Sequence, residues 1–99
     1  MKKIRDALIR WKTNRITGTG VTMLRTGKYE KAMMYLERAI ERDPENQMAW
    51  TGKGLTFAKQ KRYRKAIEAY EKALGLNPSE KEREQLLGLL KSAREKMNA

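Results

Sequence analysis

Apolar and polar positions in this chain recur at the period of an amphipathic helix. In its second half, Trp50, Gly54 and Phe57 fall at i, i+4 and i+7 on one face. The polar run Lys59-Gln60-Lys61-Arg62 ends that helix. Tyr63, Ala66, Ile67, Tyr70, Ala73 and Leu74 then recur at steps of three and four, which predicts a second helix. Asn77-Pro78 stops it, because a residue before proline is pushed out of the α region. The first half has the same plan: Ile16, Gly20 and Met23, a turn at Thr26-Gly27-Lys28, then Tyr29, Ala32, Met33, Leu36, Ala39 and Ile40, ended by Asp43-Pro44. Gly27 stands where a left-handed residue closes a helix.

The two halves are copies. Shifting the sequence by 34 positions aligns residues 13–46 with 47–80 without a gap. Thr17/Thr51, Gly18/Gly52, Gly20/Gly54, Thr22/Thr56, Tyr29/Tyr63, Lys31/Lys65, Ala32/Ala66, Glu37/Glu71, Ala39/Ala73 and Pro44/Pro78 are identical. Gly18-Thr19-Gly20 and Gly52-Lys53-Gly54 lack the further residues of a phosphate loop, and their repetition favours helix packing. Small residues at Gly20, Gly54, Ala32 and Ala66 allow two helices to approach closely, with Trp50, Phe57 and Tyr70 filling the space around them.

These units resemble tetratricopeptide repeats, whose signature is W-x₂-L-G-x₂-Y…A-x₃-F…P. Trp50, Gly54, Phe57, Ala66, Tyr70, Ala73 and Pro78 match in the second unit, and Ile16, Gly20, Met23, Ala32, Leu36, Ala39 and Pro44 in the first. The leucine before the glycine is replaced by Thr19 and Lys53. The resemblance implies an all-α solenoid of helical hairpins with N-terminal and C-terminal capping helices. It divides the single domain into a basic helix (1–12), two repeats (13–46 and 47–80) and a C-terminal helix (81–99). In the last segment, Ser79 and Glu82 form a capping box, and Leu86, Leu87, Leu90, Ala93 and Met97 are expected to face inward. In the first, Ile4, Ala7, Leu8 and Trp11 form a stripe read as a cap on the first repeat, or else as a basic amphipathic helix on an acidic membrane or partner.

The resemblance also implies a concave binding surface on the first helix of each repeat. By repeat position it is lined by Asn14, Thr17, Val21, Leu24 and Arg25, then Met48, Thr51, Leu55, Ala58 and Lys59, and from the last helix Glu82, Gln85 and Leu89. The paired Asn and Lys/Arg with which some family members grip a C-terminal carboxylate are missing: those positions carry Thr17, Val21 and Gly52.

Composition narrows the chemistry. The 99 residues contain no Cys and no His, which removes disulfides, Cys/His zinc sites, thiol nucleophiles and His-based triads. No catalytic constellation, cofactor motif or metal-ligand set is read from the sequence. No apolar run is long enough for a membrane span, Asp6, Arg10 and Lys12 interrupt any secretory h-region, and the cytoplasm is the expected compartment. The net charge is +11, concentrated in residues 1–15 (six basic, one acidic) and around Lys59, Lys61, Arg62, Arg64 and Lys65. The expected function is therefore a non-catalytic scaffold or adaptor binding a protein or peptide, acidic by preference, or a second copy of itself. The alternative is a basic surface, with Lys61, Arg62, Arg64 and Lys65 as its edge, contacting nucleic acid or an anionic membrane.

Overall fold

A computed structural model describes residues 2–99 as five helices. They are α1 (Lys2–Arg25), α2 (Tyr29–Arg42), α3 (Gln47–Lys59), α4 (Tyr63–Leu74) and α5 (Glu80–Met97). There is no strand among the described residues. Helices α1 and α2 form one hairpin and α3 and α4 the next; α2 packs on α3, and α5 closes the stack on α4. The molecule measures 51 × 29 × 18 Å.

Both hairpins turn in the same way. After α1, Gly27 adopts φ +80°, and the N–H groups of Gly27 and Lys28 reach back to the carbonyls of Leu24 and Met23 at 3.1 and 2.8 Å. At the equivalent place after α3, Lys61 adopts φ 62°, and Lys61 and Arg62 reach Ala58 and Phe57 at 3.0 and 2.8 Å. The left-handed residue satisfies carbonyls that the helix end leaves unpaired. Glycine does this without strain, whereas a side chain there costs roughly 1 kcal/mol.

Two large side chains hold the hairpins together. Leu36 of α2 is fully buried between α1 and α3. A Cβ on Gly20 would lie 2.8 Å from its Cγ, and one on Gly52 would lie 3.0 Å from its Cδ2. Tyr70 of α4 is 1% exposed, and its ring occupies the space that a Cβ on Gly54 would take. Ala66, Tyr70 and Ala73 continue into Leu86, Leu90 and Ala93 of α5 as one buried cluster. The α5 helix starts where expected: the Ser79 hydroxyl accepts from the Glu82 N–H, and the Glu82 carboxylate accepts from the Ser79 N–H, both at 3.2 Å. Hydrogen bonding to Ser79, first at its side chain and then at its backbone, holds the Glu82 carboxyl below its ordinary range.

Three expectations are corrected. No turn separates a capping helix at 1–12 from the first repeat; α1 runs unbroken from Lys2 to Arg25, since no Gly or Pro interrupts it around residue 12 and the Thr13 hydroxyl donates to the Ile9 carbonyl within the helix. The stripe does not cap the repeat either. Ile4, Leu8 and Trp11 are 63, 54 and 57% exposed, and residues 2–12 form an arm of roughly 16 Å that meets the body on its other side, where Asp6, Ile9 and Arg10 share a hollow with Asp43 and Glu45. In α5, Leu87 and Met97 face solvent at 50 and 43% exposure, and the buried face is Leu86, Leu90 and Ala93 with Leu89 half-buried.

Glycine substitutions should separate packing from propensity. Gly54→Ala is expected to lower stability by about 1–3 kcal/mol through overpacking against Tyr70 and the Ala66 carbonyl 3.2 Å away. Gly88→Ala, with nothing within 4 Å of the new Cβ, should raise it by about 0.5–1 kcal/mol through helix propensity. Urea unfolding of the two variants measures both.

Burial pushes the Tyr70 hydroxyl from 10.0 up to about 12. The unfolded chain gives up this proton near pH 10 while the folded chain retains it, so the stabilisation is complete below pH 10 and is lost as pH rises toward 12. Urea unfolding at stepped alkaline pH should show this loss in the wild type and a smaller one in Tyr70→Phe.

Candidate partner-binding groove

The first helices of the two hairpins, α1 and α3, lie side by side, and α5 follows them through its contacts with the α4 core. Their open side is built from residues of graded exposure. Asn14, Arg25, Met48, Lys59 and Gln85 are exposed. Val21, Thr51, Leu55, Ala58, Glu82 and Leu89 are half-buried. Met48, at 60% exposure, is the largest free apolar surface on α3. Leu55 and Leu89 both pack against the Tyr70–Leu86 cluster while keeping part of their surface open. The Thr51 hydroxyl donates to the Gln47 carbonyl at 3.0 Å and accepts from the Gln47 amide at 3.2 Å, so it is already partnered within α3.

Two residues expected in the lining do not reach it. Leu24 is 8% exposed and Thr17 is fully buried. The reason for Thr17 lies in the next repeat. Asn46 caps α3, its Oδ1 accepting from the Ala49 N–H at 3.1 Å. Its Nδ2 donates to the Thr17 hydroxyl at 3.0 Å, and that hydroxyl donates to the Thr13 carbonyl at 2.9 Å. Repeat position alone does not show that the cap covers Thr17.

The other side of α3 carries a cleft of about 440 Å³ with an unusual lining. Lys53 stands where the repeat signature has leucine. Its ammonium lies 5.3 Å from the Trp50 ring centre, 6.0 Å from Phe57 and 3.9 Å from a Glu37 oxygen. Lys72 lies 5.8 Å from Trp50 on the same cleft. The stem of Lys53 thus covers apolar surface while its charge is held by two rings and a carboxylate. Trp50 is fixed from its far end, its Nε1–H donating to the Pro44 carbonyl at 2.9 Å. The mismatch of Lys53 with the signature is the visible signal for this cleft; Thr19, the matching departure, lines a hollow at the equivalent place on the first hairpin with Ile16 and Tyr35.

The basic edge lies at the turn between α3 and α4, and all of Lys61, Arg62, Arg64 and Lys65 are exposed. Two of them are already engaged: Arg62 and Lys65 sit 5.3 and 5.8 Å from the Phe57 ring centre. Lys61 and Arg64 remain open to solvent. Among the described residues there is no cluster of acidic side chains able to hold a metal ion.

A family model described as Tetratricopeptide repeat matches residues 20–81, well over half of the chain. No curated protein matches it.

The reassignment of Thr17 from lining to scaffold has a direct test. Asn46→Ala removes both the α3 cap and the tie to α1, and should cost about 1–3 kcal/mol. Thr17→Val should also destabilise, because it leaves the buried Asn46 amide unpaired. Met48→Ala, at an exposed position, should stay within about 0.5 kcal/mol of wild type. Thermal unfolding of the three variants decides it.

Proposed function

The chain belongs to the tetratricopeptide repeat family, and from that premise we propose that it is a non-catalytic scaffold or adaptor that holds a peptide or helix on the open side of α1 and α3. Repeats of this family generally mediate protein–protein interaction. The observation that carries the reading to this groove is the exposed Met48 beside half-buried Leu55, with Arg25 and Lys59 at equivalent positions at the ends of the two helices. Apolar contact supplies most of the affinity, because an exposed ion pair contributes only about 0–1 kcal/mol. The two cations and the net charge of +11 favour an acidic partner and act on association rate and salt dependence.

The rival reading is a nucleic-acid surface on the basic edge. Its support is weaker: Arg62 and Lys65 are drawn onto Phe57, which leaves Lys61 and Arg64 as the free charges of that edge.

Partners captured at low and high salt, identified by mass spectrometry and then titrated by calorimetry, test the proposal. Leu55→Glu should weaken binding more than Arg25→Ala or Lys59→Ala singly. Binding that ignores Leu55→Glu and collapses when Lys61 and Arg64 are changed to Ala would move the site to the basic edge.

A further inference from the structure

We infer that residues 2–12 of α1 form an interfacial helix that seats this protein on an anionic phospholipid bilayer. The inference is independent of the groove and begins with the direction of the arm's apolar stripe. The residues of α1 buried in the body are Thr13, Thr17, Gly20 and Leu24. At about 100° per residue, the mean direction of Ile4, Ala7, Leu8 and Trp11 lies about 160° around the helix from that buried seam. The stripe is therefore no extension of the core. It points away from α2 and α3, and all four of its residues are exposed.

The charges are arranged around this stripe as a lipid surface requires. Lys3 and Arg10 flank it on one side and Arg5 and Lys12 on the other. Long basic side chains in those places can lay their stems along the acyl boundary and extend their charges to phosphate. The arm's one acid, Asp6, lies on the opposite side, in a hollow shared with Asp43 and Glu45 of the body. The side facing the lipid is thus basic and the acidic groups face away from it. Trp11 suits the headgroup level, with the Arg15 guanidinium 5.3 Å from its ring centre. Beyond the arm, the same side of α1 continues through Arg15, Gly18 and Thr22, all exposed. A flat surface can therefore meet this side of the helix along the arm.

A second copy fits this stripe poorly. Pairing two arms would bring Lys3, Arg5, Arg10 and Lys12 against their own copies, with no acid on the stripe side to offset them. Nor does a neighbouring element raise a wall beside the stripe to make a groove for a partner helix. None of the described helices is long and apolar enough to cross a membrane. The arm's other large apolar residue, Ile9, lies on the far side with Asp6, in the hollow against Asp43 and Glu45, which leaves the stripe to face the interface.

The test is co-sedimentation of the full chain with vesicles of phosphatidylcholine alone and of phosphatidylcholine mixed with phosphatidylglycerol. The wild type should partition onto the mixed vesicles and far less onto the neutral ones. Leu8→Glu should reduce that partitioning roughly tenfold or more, as loss of a lipid-buried leucine implies. The double variant Lys3→Glu/Arg10→Glu should also release it, whereas Leu55→Glu, in the groove, should leave it unchanged. Mixed vesicles should shift tryptophan emission to the blue, and Trp11→Phe should abolish the shift. Because every altered arm residue is exposed, unchanged circular dichroism confirms that the variants fold. Equal binding by Leu8→Glu and wild type would overturn the proposal, since attraction would then be charge alone. Absence of binding to mixed vesicles would overturn it too, as would a dimer in vesicle-free sedimentation that Leu8→Glu dissociates.

Discussion

The close approach of helices across missing Cβ atoms is the contact on which the rest of this structure depends. Leu36 fits between α1 and α3 only because Gly20 and Gly52 leave room for it, and Tyr70 lies against α3 only because Gly54 does. Packed interiors have few voids and little give, so these positions set the spacing of helices as well as their contact. Leu36 touches both hairpins at once. It therefore determines how far α3 stands from α1, and with it the width of the open side where a partner would lie.

What the sequence made legible follows from that contact. Small residues at a fixed offset are visible without coordinates, so the two hairpins, their turns and the Ser79–Glu82 cap were readable. What escaped depended on phase and on contacts between repeats. The arm and the first repeat share one helix but bury different sides of it, so the stripe of Ile4, Leu8 and Trp11 read as a separate cap. Nothing in the local pattern shows that the two stripes lie on nearly opposite sides. Thr17 has the repeat position of a lining residue, yet the Asn46 cap of the next hairpin covers it. Lys53 departs visibly from the signature, but its placement between Trp50, Phe57 and Glu37 depends on how α2, α3 and α4 meet.

Charge is spread so that it costs the fold little. Twenty-three basic residues meet twelve acidic ones, and the ion pairs among the described residues are Lys53–Glu37 and Arg94–Glu71, at 3.9 and 3.3 Å. Several of the remaining cations lie over rings instead, where Arg15, Arg38, Arg62, Lys65 and Lys72 find a partner that needs no acid. Aromatic faces can moderate repulsion in a chain short of carboxylates, and they keep the long side chains folded down on the surface. The charges least engaged in this way are those of the arm, the chain's most basic stretch.

Helix α1 shows why those free charges collect where they do. One side of it is committed to α2 and α3 through Gly20, Leu24 and the Thr17 hydroxyl. A second carries the groove residues Asn14, Val21 and Arg25. The third carries the exposed line from Ile4 through Trp11 to Arg25's neighbours Gly18 and Thr22. Over the span of the body that third side is polar, as a face left uncovered must be to stay in water. Only along the arm does the same side become apolar. Solubility of the stack requires the first half of that pattern and not the second, so the stripe on the arm calls for a cause other than the fold, and contact with a surface outside the body supplies one.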